Sequence, residues 1–114
     1  MIDVQPERFE ALVAEALDGI PEDLGRRMDN VIVQVKDRAP DRHLLGLYEG
    51  IPLTERGGAY NMILPDKITL FQRSLEAVCP DDETLRREVQ VTVVHEIAHH
   101  FGISDRRLAE LGWA

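Results

Sequence analysis

Phe9, Leu12, Val13, Ala16, Leu17 and Ile20 recur at spacings of three and four. That is the stripe of a helix with one face on a core. Pro6 suits its first turn and Gly19 its stop, so the pattern predicts a helix over 6–18. A short second helix is expected over 21–29, around Leu24 and Met28. The period then changes. Residues 30–36 (Asn-Val-Ile-Val-Gln-Val-Lys) are β-branched with partial alternation, which predicts a strand. A polar loop follows over 37–42. Residues 44–49 read as a second strand closed by Gly50 and Pro52, and residues 67–72 as a third. Residues 61–64 extend the third strand or pair beside it. Residues 54–59 read as a flexible polar connection, and residues 74–78 as one helical turn.

Pro80-Asp81-Asp82 opens the longest predicted helix, with an aspartate as N-cap. Val89, Val91, Val93, Val94, Ile97, Ala98 and Phe101 make its second half apolar almost all round, which predicts burial in the middle of the domain. Ser104 is placed to cap a last short helix that runs through Leu111 and ends at Trp113. Helix, strands, buried helix, helix is an α+β order. It implies a small mixed or mostly antiparallel sheet packed on helices. With 114 residues, 44% of them hydrophobic, the chain supports one domain over 1–114 with one modest core.

The buried helix carries polar groups that are costly to bury without partners. They are His95, Glu96 and His99, in the run His-Glu-Ile-Ala-His-His-Phe-Gly-Ile-Ser-Asp over 95–105. His95 and His99 leave the same helix face, as two imidazoles must to chelate one zinc ion. Glu96 then stands beside the metal, where a general base can take a proton from water. Gly102 stops the helix, and Asp105 returns as third ligand. His100 points away from the pair and reads as packing. His43, in a polar loop, reads as solvated surface. Cys79, the single cysteine, reads as a buried structural thiol.

Charge narrows the partners. Acids number 21 against 13 bases, a net charge of −8, with no basic cluster. That speaks against nucleic acid and anionic membranes, and favours neutral or cationic substrates. No run approaches the length that spans a bilayer. The first seven residues have no signal-peptide pattern, and one cysteine cannot form an internal disulfide, so the expected compartment is the cytoplasm.

His95-Glu96-x-x-His99-x-x-Gly102-x-x-Asp105 is similar to the zinc-binding signature of the zincin metallopeptidases, in the form where aspartate replaces the third histidine. The whole chain resembles the minimal zincins of bacteria, through residues 45–50 with Pro52-Leu53, and through residues 65–71. The resemblance implies one zinc ion held by His95, His99 and Asp105. It implies Glu96 as general base and then proton donor to the leaving amine. It also implies a mixed sheet over the active-site helix, with an edge strand aligning an extended peptide or protein substrate. Tyr48 and Tyr60 are candidate oxyanion donors, with packing or surface roles as the plainer reading. Residues 56–60 read as a solvated loop or as a lid. Larger relatives carry a methionine turn after the third ligand, whereas nine residues follow Asp105 here and none is methionine. The expected site is therefore open on one side, to be completed by a partner subunit, a homo-oligomer or docked substrate. Two other readings stand beside this one. The first is another metal hydrolase, deformylase-like with Cys79 as ligand or RNA-processing. The second is a zinc-stabilised interaction domain without catalysis.

Overall fold

The computed structural model describes residues 2–28, 30–50 and 65–110. The expectations for residues 51–64, Tyr60 among them, and for Leu111 and Trp113 lie outside the described residues.

The elements are α1 (Pro6–Asp18), α2 (Glu22–Arg27), β1 (Val31–Lys36), β2 (Gly46–Glu49), β3 (Asp66–Phe71), α3 (Gln72–Ala77), α4 (Asp82–His100) and α5 (Asp105–Glu110). The sheet is mixed, in the order β1-β3-β2. β1 runs parallel to β3, with Val33 opposite Ile68 and Val35 opposite Leu70. β2 runs antiparallel on the other side, with Gly46 opposite Leu70 and Tyr48 opposite Ile68. Alternation then puts Ile68, Leu70, Gly46 and Tyr48 on one face. Ile68 and Leu70 are wholly buried there, in one cluster with Phe9 and Leu12 of α1 and Val89, Val93 and Ile97 of α4. The expected second strand starts two residues late, because Leu44 is held in a turn by its N–H to the Asp41 carbonyl, 3.0 Å away. The third strand stops at Phe71, and Gln72 already begins α3.

Residues 2–4 are tied to α3 through a buried acid. Glu76 is 2% exposed and accepts from the Val4 N–H at 2.8 Å and from Arg73 at 3.0 Å. Arg73 also donates to Asp3 and Asp37, so its charge answers three carboxylates. A buried carboxylate persists only when hydrogen-bonded and paired in this way.

α4 begins as expected. The Asp81 side chain accepts from the Thr84 N–H at 2.8 Å, and that bond holds its carboxyl below the ordinary range. The expectation of burial all round fails. Leu85, Val89, Val93, Val94, Ile97 and Ala98 are buried, but His99 and His100 are exposed and Phe101 is 41% exposed. Among the described residues, α1, α2, α3, β2 and β3 pack on the helix, and its last turn stays partly open. Among the described residues, no helix is long and apolar enough to cross a membrane.

β2 lies so close to α4 that a side chain at position 46 has no room. A Cβ on Gly46 would stand 2.8 Å from Thr92 Cγ2 and 3.2 Å from the Thr69 carbonyl. Gly46→Ala is therefore expected to lower unfolding free energy by about 1–3 kcal/mol in urea titrations, the usual range for overpacking. Adding Thr92→Ser, which deletes the opposing methyl, should recover part of the loss. An unchanged midpoint in the single variant would show that the strand and helix are not pressed together.

Candidate metal centre

The geometry of the centre follows from how α4 ends. Gly102 takes φ +78°, the left-handed region that favours glycine. The Ile103 N–H then bonds back to the Ala98 carbonyl at 2.7 Å, and the Gly102 N–H to that of His99 at 3.1 Å. This pair of bonds is a Schellman closure, and it reverses the chain within two residues. Ile103 packs against the core and seals the turn. Ser104 Oγ accepts from the Arg107 N–H at 3.1 Å, starting α5 with Asp105 as its first residue.

The reversal returns Asp105 to the helix it follows. Asp105 Oδ1 lies 2.7 Å from His99 Nε2, which donates when the carboxylate is ionised. That bond holds the Asp105 carboxyl below its ordinary range. His95 and His99 are one turn apart, with ring centroids at 5.8 Å and planes at 65°. Ligand atoms of His95, His99 and Asp105 all lie within 4.8 Å of one another. His99 and Asp105 are 52% and 76% exposed, so small side-chain rotations can bring the three donors onto one ion. Two imidazoles and a carboxylate are a donor set that zinc accepts, with a position left for water or substrate. This exposure replaces the expectation of ligands buried in the core. The half-open face of α4 carries them, and solvent can reach them.

Glu96 sits beside this group, half-buried. The backbone N–H of Tyr48 donates to its carboxylate. Strand geometry makes that donor available. The Leu45 carbonyl accepts from Phe71 of β3, so the backbone groups of 45, 47 and 49 face β3 and those of 46 and 48 face away from it. Burial pushes the Glu96 carboxyl up, while the two histidines and the Tyr48 N–H oppose that rise in part.

The Tyr48 side chain has a different task. Its hydroxyl donates to Asp66 Oδ2 at 2.6 Å, and its ring stacks on His100 with centroids at 4.0 Å. His100 Nε2 is 3.7 Å from the same carboxylate oxygen. His100 is thus a packing residue, as its position on the helix predicted, and Tyr48 has committed its hydroxyl to a buried acid. Cys79 is 1% exposed, burial pushes its thiol up to about 11, and it is not among the grouped donors. That removes the sequence feature on which a deformylase-like ligand set depended.

A cleft of about 320 Å³ runs along α4 past His95, Glu96 and His99. Its walls include His43, Leu44, Leu45 and Gly46 on one side and Glu88, Val91 and Thr92 on the other. His43 is exposed, as the sequence suggested, and it edges the cleft. Glu88 and Thr92 had no assigned role and Val91 was read as buried helix face, yet Glu88, Val91 and Thr92 precede His95 by seven, four and three residues. The helical period that paired the histidines places these three on the same face.

In the metal-free chain, the raised pKa of Glu96 makes the folded state bind its proton more tightly than the unfolded state does. This group's contribution is therefore lost as pH rises from the ordinary carboxylate range through the raised value. Glu96→Gln removes the ionisable group and keeps an acceptor for Tyr48. Metal-free Glu96→Gln protein should melt above metal-free wild type near pH 7, with the gap closing below about pH 4. Calorimetry across that range checks it, and a variant that melts lower at neutral pH would contradict the burial of this carboxyl.

Comparison with known proteins bears on the same region. The family model for zincin-like metallopeptidases matches residues 28–113, which include β1 to β3 and the whole 95–105 motif. A solved structure of a conserved hypothetical protein from Thermo thermophilus is similar, with a TM-score of 0.58 and 28% identity. The match covers 93% of this chain and 98% of that one. No curated protein matches. With the family model spanning three-quarters of the sequence, this chain belongs to the zincin-like metallopeptidase family.

Proposed function

We propose that the chain is a zinc-dependent peptidase, with its active site in the cleft where β2 overhangs the last turns of α4. The observation that carries this reading is convergence. Three donors that zinc accepts lie within 4.8 Å of one another, and a partly desolvated carboxylate is held beside them by the Tyr48 N–H.

His95, His99 and Asp105 would hold one zinc ion. When bound, zinc brings the pKa of a water toward ~7 and polarises a carbonyl as a Lewis acid. The remaining work belongs to the chain. Glu96 takes the proton of the attacking water and then delivers it to the departing amine. Its raised pKa suits both duties, because a base that is too acidic releases its proton too early. The Tyr48 N–H keeps the carboxylate from rotating away. By its family, the chain would take its peptide in extended form along β2. The His99–Asp105 hydrogen bond must give way for both atoms to face one ion, so loading displaces the proton from His99 Nε2. High exposure of His99 and Asp105 leaves room for a second copy or a partner protein to wall the cleft during turnover. The expected compartment is the cytoplasm.

Two variants test the roles separately. His95→Ala should lose stoichiometric zinc, measured by elemental analysis of dialysed protein. Glu96→Gln should keep zinc and lose hydrolysis of a peptide mixture by about 10²–10⁴-fold, the usual contribution of a general base. Zinc retained at full stoichiometry by the first variant would overturn the ligand set. Full activity in the second would overturn Glu96 as base.

A further inference from the structure

The cleft does not end at the metal centre. It continues along α4 toward the helix N-terminus, past Thr92 and Val91, and reaches Glu88. Glu88 precedes His95 by seven residues, two helical turns and about 10 Å along the axis. Leu44, Leu45 and Val91 line the stretch between. The groove is therefore graded, with reactive groups at one end, an apolar middle and a carboxylate at the far end.

Glu88 is half-buried, and among the described residues no cation pairs with it. Some acids elsewhere on these helices do pair: Glu15 with Arg86, Asp82 with Arg8, and Glu110 with Arg107. A carboxylate at one end of an open, mostly apolar groove, with no cation paired to it among the described residues, is complementary to a side chain with a long aliphatic stem and a cationic tip. Arginine and lysine have that form. The stem fits the leucine and valine walls, and the tip reaches the acid. The whole chain, at net charge −8, attracts such peptides before contact.

We infer that Glu88 is the specificity-determining residue of the cleft, and that the peptide substrate places an arginine or lysine side chain in the Leu44–Leu45–Val91 slot. This rests on the peptidase reading for the location of the scissile bond. The recognition itself needs only the groove and its acid. An acidic side chain in the slot would face Glu88 at close range, so acidic peptides are refused. A short apolar side chain fills the middle and leaves the carboxylate without its partner.

The test separates binding from cleavage. In the first arm, metal-free wild-type protein is titrated with a peptide carrying arginine and with the same peptide carrying citrulline, an uncharged analogue of nearly the same shape. Amide shifts of α4 report occupancy. The arginine peptide should bind about tenfold more tightly, a difference of about 1.4 kcal/mol, and shift the amides of 88–92. Glu88→Gln should erase the difference, and Glu88→Lys should reverse it in favour of a glutamate peptide. In the second arm, zinc-loaded wild type is given a peptide library, and arginine or lysine should be enriched at one fixed position relative to the cut. Equal binding of arginine and citrulline peptides, no binding of either, or a preference that survives Glu88→Gln would overturn the inference. Arginine-selective binding with no cleavage of any peptide would sink the peptidase reading and leave the groove assignment standing. Cleavage without basic preference would do the reverse.

Discussion

A chain can return a side chain to the helix it has just left only by reversing at once, and here everything else depends on that reversal. Gly102 supplies the left-handed backbone, and the amides of Gly102 and Ile103 close on the carbonyls of His99 and Ala98. Without it, Asp105 would continue away along the α4 axis, and His95 and His99 would have no third donor beside them. The turn also anchors itself, because Ile103 drops into the core and Ser104 starts α5. The site is thus held by rigid backbone even though its outer side chains meet solvent.

The second constraint is the contact between β2 and α4. Gly46 lets the strand approach to a distance no side chain permits. That proximity brings the outward N–H of Tyr48 to Glu96 and shields the carboxylate enough to raise its pKa. The Tyr48 side chain secures the arrangement from the other end, through its bond to buried Asp66 and its stacking on His100. The same strand therefore covers the helix, aims the carboxylate and lines the cleft. Among the described residues, one strand thus serves all three purposes beside the candidate centre.

Much of this was legible in the residues. Helical period placed α1 to the residue, and the runs at 30–36, 44–49 and 67–72 placed the strands within two. The His95–His99 spacing, Gly102 and Asp105 marked the centre, because each obeys a local rule about helix faces and helix ends. What was not legible depends on distant contacts. Apolar residues all round α4 suggested deep burial, but apolar content says nothing about how many elements are present to cover it. His43 is exposed as read, but its place at the cleft edge was hidden because nothing local ties residue 43 to a helix fifty residues later. Glu88 carried a readable clue in its seven-residue offset from His95, yet only the position of Leu44 and Leu45 turns that offset into a groove. The Tyr48 N–H could not be assigned without the register of β2 on β3, which decides the side its backbone faces.

The central claim is a shared grip on one ion by His95, His99 and Asp105. X-ray absorption at the zinc edge, on protein loaded with one equivalent and dialysed, tests it most directly. The account predicts a shell of nitrogen and oxygen only, at about 2.0–2.2 Å, with the multiple-scattering signature of two imidazoles. A sulfur scatterer at about 2.3 Å would bring Cys79 into the site and contradict it, as would a fit with fewer than two imidazoles.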